Sequence, residues 1–152
     1  LSRVVRDQGR LDEAAAALEA ALAIARPALG NEHQLVAIYS CNLAAVQLAR
    51  KKPEAAEGLL REALRIRSQA AQLVPNRRRI LPEDDWGVGA TKSLLGAALT
   101  ALRRWDEAES VLLEARHDLD AMTPLPGREI EMTAARLAEL YARQDRQGRA
   151  ER

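Results

Sequence analysis

One pattern recurs along this chain and fixes most of what it can become. GRLDEAAAALEAAL begins at Gly9, KKPEAAEGLLREAL at Lys51, RRWDEAESVLLEAR at Arg103 and DRQGRAER at Asp145. In register these copies stack Ala14, Ala56, Ala108 and Ala150, at spacings of 42, 52 and 42 residues. A second signal keeps the same phase. Thirteen residues before each aligned alanine stands a leucine followed by a small residue: Leu1-Ser2, Leu43-Ala44, Leu95-Gly96 and Leu137-Ala138. Two periodicities locked together over the whole length mark a repeat array, in which each unit buries its apolar stripe against its neighbours.

Each unit reads as two antiparallel helices. The first ends near Arg50, Leu102 or Arg143, and the second starts around Leu11, Pro53, Trp105 or Gln147. Pro53 suits a first helical turn, where its missing N–H costs nothing. Asp12-Glu13 and Asp106-Glu107 place negative charge at the positive end of a helix dipole. The triplets Ala14-Leu18-Ala21, Ala56-Leu60-Ala63 and Ala108-Leu112-Ala115 follow the i, i+4, i+7 spacing of one helical face. Composition agrees. The chain holds 30 Ala and 23 Leu but no Phe, two Tyr and two Trp, which favours helix over strand.

The predicted fold is therefore all-α, an α-α superhelix of seven or eight helices in one array spanning residues 1–152. Its units run approximately over 1–29 (with a truncated first helix), 35–74, 87–122 and 129–152 (with a truncated second helix). Pro27 to Asn31 and Thr123 to Gly127 carry helix-breaking residues. The middle connection is ten residues longer than its counterparts and forms an extended linker over 75–86, with Arg77 to Arg79 followed by Glu83-Asp84-Asp85. That run reads as a solvated, self-neutralising connector. The text opens at Leu1 in mid-helix and closes on Glu151-Arg152, as expected of a piece of a longer protein.

These features resemble the tetratricopeptide repeat (TPR), and in particular the 42-residue form found in kinesin light chain and many bacterial proteins. Leu43-Ala44, Leu95-Gly96 and Leu137-Ala138 match the family's first-helix pair, and the three triplets match its second helix. The family's linking phrase is echoed by Leu29-Gly-Asn-Glu-His-Gln34 and by Leu81-Pro-Glu-Asp-Asp-Trp86. From Leu81 onward the text also resembles the carboxy-terminal repeats that follow the catalytic domain of some bacterial serine/threonine protein kinases. The resemblance implies a protein-interaction module or scaffold that holds a peptide or protein segment in a concave groove. The alternative it implies is a non-catalytic regulatory region packing against a neighbouring domain of the same chain.

In this family the first helices line the groove. The resemblance therefore singles out Ile38, Cys41, Asn42 and Ala45 in the second unit, Ser93, Ala97 and Thr100 in the third, and Arg136, Glu139 and Arg143 in the fourth. Asn42 is the most pointed of these. It interrupts an otherwise apolar helix, and its amide offers both a donor and an acceptor for a bound main chain.

Catalytic and cofactor chemistry is not expected. A metal site needs three or four converging ligands, whereas His33, His117 and Cys41 stand far apart and start no ligand motif. Cys41 has no base at helical spacing to activate it. Gly87-Val-Gly89 does not extend to a phosphate-binding fingerprint, and no kinase catalytic segment occurs. Lys+Arg number 23 against 22 Asp+Glu, so no global field draws the chain to nucleic acid or to an anionic membrane. The absence of a leader, of a spanning apolar run and of paired cysteines gives an expected cytoplasmic location, with a protein or peptide as the partner.

Overall fold

The computed structural model describes residues 2–73, 87–122 and 127–150, with side chains in the first stretch described from Gln8 to Ala70. These residues form six helices, α1 (Ser2–Leu29), α2 (Gln34–Ala49), α3 (Pro53–Leu73), α4 (Gly87–Ala101), α5 (Trp105–Asp120) and α6 (Gly127–Ala150), and no strand. The expected linker over 75–86, with Arg77 to Arg79 and Trp86, lies outside the described residues. The chain divides into two compact units, Leu1–Pro75 and Asn76–Arg152. In the first, α2 packs on both α1 and α3. In the second, α4, α5 and α6 all touch one another. Within each unit, successive helices pack antiparallel.

Local chemistry explains where the helices turn. α1 stops at Gly30, whose φ of 89° lies in the left-handed region and whose N–H bonds to the Arg26 carbonyl. His33 then opens α2 by accepting the Leu35 N–H on Nδ1 at 3.2 Å. The α2–α3 and α4–α5 turns are built alike. Lys51 and Arg103 take φ values of 58° and 60°. Around them Lys51 N bonds Leu48 O and Lys52 N bonds Gln47 O; likewise Arg103 N bonds Thr100 O and Arg104 N bonds Leu99 O. Both are Schellman caps with a long cationic side chain where glycine is usual.

Behind the turns lies the packing predicted from the triplets. Ala56, Leu60 and Ala63 on α3 and Ala108, Leu112 and Ala115 on α5 are all fully buried. Burial of each such leucine stabilises by roughly 1.5–3 kcal/mol. In the second unit the helices approach very closely. A Cβ on Gly96 would stand 2.3 Å from Leu112 Cγ, and one on Gly89 would stand 2.8 Å from Leu119 Cγ. Ion pairs fasten the helices at their edges. Arg26 grips Glu62 through two hydrogen bonds of 2.7 Å, and Lys92 reaches Asp118 at 2.8 Å and Glu114 at 3.2 Å.

Two expected turns are absent. α1 runs unbroken through Gly9 and Leu11, and α6 runs unbroken through Arg143 and Gln147, so the described residues hold six helices rather than seven or eight. A hairpin forms where both arms have a face to bury. At both places the helix continues and keeps its backbone hydrogen bonds. The consequence shows in the packing of α1. Ala14, Leu18 and Ala21 are only half-buried, while Ala15, Leu22 and Ala25 carry its buried face.

Candidate functional site

α2 contains no charged residue, yet one of its faces stays open to solvent. Leu35, Ile38, Asn42, Ala45 and Ala49 follow a 3-4-3-4 spacing, which places them on a single stripe. Ile38 is half-buried and the other four are exposed. The opposite face, with Val36, Ala37, Ser40, Cys41, Leu43, Ala44 and Gln47, is buried. Cys41 thus packs inward, one position away from the exposed amide of Asn42.

The equivalent stripe of α4 is displaced by 52 residues and consists of Gly87, Ala90, Leu94, Ala97 and Ala101. Leu94, not Ser93, is therefore the counterpart of Asn42. Ser93 corresponds to Cys41 and is fully buried. Its hydroxyl is occupied twice: Arg136 Nη1 donates to it at 2.6 Å, and Thr133 Oγ1 lies 2.8 Å away. Since Thr133 also stands 2.7 Å from the Glu129 carbonyl, it donates there and accepts from Ser93. Thr100 is likewise buried and donates to the Gly96 carbonyl at 2.8 Å. Ser93 and Thr100 thus belong to the internal packing of α4, while Ala97 is half-buried on its outer stripe.

α6 contributes the neighbouring row. Arg136, Glu139 and Arg143 stand 42 residues after Leu94, Ala97 and Ala101 and hold the same register. The Arg136–Ser93 bond fixes this row beside α4. Arg136 is half-buried, and burial pulls its guanidinium below the usual range while Glu129 opposes that shift. Among the described residues it makes no ion pair. Glu139 and Arg143 are exposed and pair with each other at 2.7 Å.

The structure therefore groups the candidates into two sets. Ile38, Asn42 and Ala45 share one stripe of the first unit. Ala97, Arg136, Glu139 and Arg143 share a surface of the second. Leu35, which extends the first stripe, was legible only in the i, i+3, i+7 spacing ahead of Asn42. His33 is an N-cap and His117 is exposed on α5. Among the described residues no group of three or more His, Cys, Asp or Glu could hold a metal ion, and no helix is long and apolar enough to cross a membrane.

The arrangement can offer shape, a few amide and guanidinium donors and an uncharged helical face, which are the means of recognising another chain. No curated protein matches the sequence. Residues 1–69 match the family model described as tetratricopeptide repeat; this part of the chain is a TPR-family helical repeat domain, and a scaffold role in protein–protein interaction is consistent with that fold.

Proposed function

We propose that the protein binds an extended or helical protein segment on the outer stripe of α2 in its first unit, and that the α4–α6 surface of the second unit is a separate candidate of the same kind. One observation carries this reading. A helix without a single charge keeps Leu35, Asn42, Ala45 and Ala49 exposed in one row. Charged residues usually cover a solvated helix face, so an uncharged row with one amide suits a partner that buries it. Asn42 would bond the partner's main chain through its amide, and the alanines would let that chain approach closely. On the second unit, Arg136, Glu139 and Arg143 favour a ligand bearing both signs. Affinity for a single segment should be weak, because ordering a flexible chain offsets much of the contact energy. The 42-residue spacing supports a light-chain-type repeat within the same reading.

The test replaces exposed residues only. Asn42→Ala and Ala45→Glu should fold as the wild type does, since surface changes usually alter stability by less than about 0.5 kcal/mol. Affinity capture from the source cell should then lose the partners retained by the wild-type protein. Identical partner sets and affinities for all three proteins would overturn the proposal. Loss of contact to a domain of the same parent chain, rather than to a separate protein, would identify the regulatory, intramolecular version.

A further inference from the structure

The outer stripe of α2 is laid out so that it can meet its own copy. Asn42 stands at its middle, with Leu35 seven residues before it, Ala49 seven after, and Ile38 and Ala45 between. The two bulky side chains thus occupy the N-terminal half of the stripe and the two small ones its C-terminal half. Leu35 is 39% exposed, Asn42, Ala45 and Ala49 are exposed, and Ile38 is half-buried. Charges gather only beyond the ends of the helix. Glu32, which accepts from Arg65, precedes it. Arg50, paired with Asp12 at 2.8 Å, and the exposed Lys51 and Lys52 follow it.

From this we infer that the occupant of the α2 stripe is a second copy of the same chain, seated antiparallel across a twofold axis at Asn42. The inference rests on the reading of α2 as a binding surface and names its partner. A twofold axis there lays the N-terminal half of each stripe against the C-terminal half of the other. Leu35 and Ile38 of each copy then sit over Ala45 and Ala49 of its mate. Large against small fills the contact evenly along about 21 Å, the rise of the helix from Leu35 to Ala49. At the axis each Asn42 amide donates to the carbonyl oxygen of the other, so the polar group in the row is satisfied twice. A parallel pair would also join the two amides, but it would set Leu35 on Leu35 and Ala49 on Ala49 and wedge the helices apart at one end. It would further crowd Lys51 and Lys52 against the same two lysines. The antiparallel pair places those lysines beside Glu32 and sets the positive start of each helix next to the negative end of the other. An uncharged helix suits such symmetry, because a charge near the axis would face its own copy. The equivalent stripe of α4 lacks this layout: its one bulky member, Leu94, stands at the middle, where no amide is present. One helix pair is smaller than a standard interface, so the dimer is weak and exchanges with monomer.

Sedimentation equilibrium of the full chain, loaded from about 5 μM to about 1 mM, should show a monomer–dimer equilibrium with a Kd between about 10 μM and 1 mM. Asn42→Ala and Ala45→Glu, each checked for an unchanged circular dichroism spectrum, should weaken it at least about tenfold. Disulfide trapping reads the orientation in a Cys41→Ser background, serine being the residue that the counterpart position 93 carries. Asn42→Cys should crosslink to itself. Leu35→Cys should crosslink when mixed with Ala49→Cys, and neither should do so alone. A monomer at about 1 mM, a dimer indifferent to both surface variants, self-crosslinking of Leu35→Cys or failure of the mixed pair would each overturn the proposal. Affinity capture separates this outcome from failure of the binding surface itself. If the chain stays monomeric yet loses another protein, or a domain of its own parent chain, on Asn42→Ala, the α2 surface stands and the second copy falls. If it neither dimerises nor captures anything through Asn42, both fall.

Discussion

Gly96→Ala is the sharpest probe of how the second unit is packed, because two effects of known sign oppose each other there. In an unobstructed helix, alanine in place of glycine stabilises by about 0.8–1 kcal/mol. At Gly96 the new methyl would meet Leu112 Cγ at 2.3 Å, Cδ2 at 2.5 Å and Cδ1 at 3.2 Å. Carbon atoms in contact sit about 3.5–4 Å apart, so roughly 1.3 Å of displacement is required. Cγ is the branch point of the leucine, not its flexible end, and Leu112 is fully buried. The strain therefore falls in the range of about 1–3 kcal/mol seen for overpacked cores. Overpacking should cancel the propensity gain and leave a net loss of up to about 2 kcal/mol. Gly58 is the matched control: it lies inside α3 and a methyl there meets nothing within 4 Å. Gly58→Ala should stabilise by the full propensity gain of about 0.8–1 kcal/mol.

Urea unfolding followed by far-UV circular dichroism reads both variants. Both tryptophans fall in the sequence of the second unit, so their fluorescence reports on Gly96 separately. This matters because two compact units need not unfold in one transition. A sign reversal gives the decisive check. Leu112→Ala removes Cγ, so in that background Gly96→Ala should stabilise rather than destabilise, a non-additivity of about 1–3 kcal/mol. If Gly96→Ala stabilises the wild-type protein as much as Gly58→Ala does, the close approach of α4 to α5 is refuted.

Leu60→Ala and Leu112→Ala should each cost about 2–5 kcal/mol by urea titration, whereas Leu18→Ala should cost clearly less, because its face of α1 is only half-covered. Lys51→Gly and Arg103→Gly should each stabilise by about 0.5–1 kcal/mol, since both residues hold left-handed backbone that a side chain disfavours; a loss in the same titration would contradict the cap geometry. Glu62→Gln should cost up to about 1 kcal/mol at neutral pH. The hydrogen bond from Arg26 holds the Glu62 carboxyl below its usual range, against a smaller opposing effect of burial. Its contribution is therefore complete above the unfolded value of about 4.3 and fades as pH falls through the lower folded value. Unfolding at pH 7, 5 and 3 should show a constant gap between the two proteins down to about pH 5 and a narrowing gap below it.

The parts that the sequence made legible are those decided by periodicity. Leu60 and Leu112 stand at i+4 between two alanines, a spacing that puts all three side chains of each triplet on the face that α3 and α5 bury. Pro53, Asp106 and Glu107 mark their helix starts for equally local reasons. The turn geometry was less visible. A left-handed cap is normally announced by glycine, and here Lys51 and Arg103 occupy it, stabilised by the cap's backbone bonds rather than by their own preference. The 52-residue offset between Leu43 and Leu95 already pairs Asn42 with Leu94 and Cys41 with Ser93, and the shared burial of Cys41 and Ser93 agrees with it.

What the sequence could not supply is which of its turn signals the backbone uses. Gly9-Arg10-Leu11 and Asp145 to Gly148 carry the same turn text as the internal hairpins, yet both are helical. A turn signal is permissive; the burial gained by folding back is what selects it, and where no face is gained the backbone keeps its hydrogen bonds by continuing straight. The neighbours of the last turns of α6 follow from that choice. Arg146 and Ala150 would belong to a separate helix in the periodic reading, and they meet Arg103 and Trp105 only because α6 does not turn. The candidate surface is thus readable from spacing as far as Asn42, Ala97 and Arg136, while the surroundings of Arg146 emerge only once the run of the last helix is known.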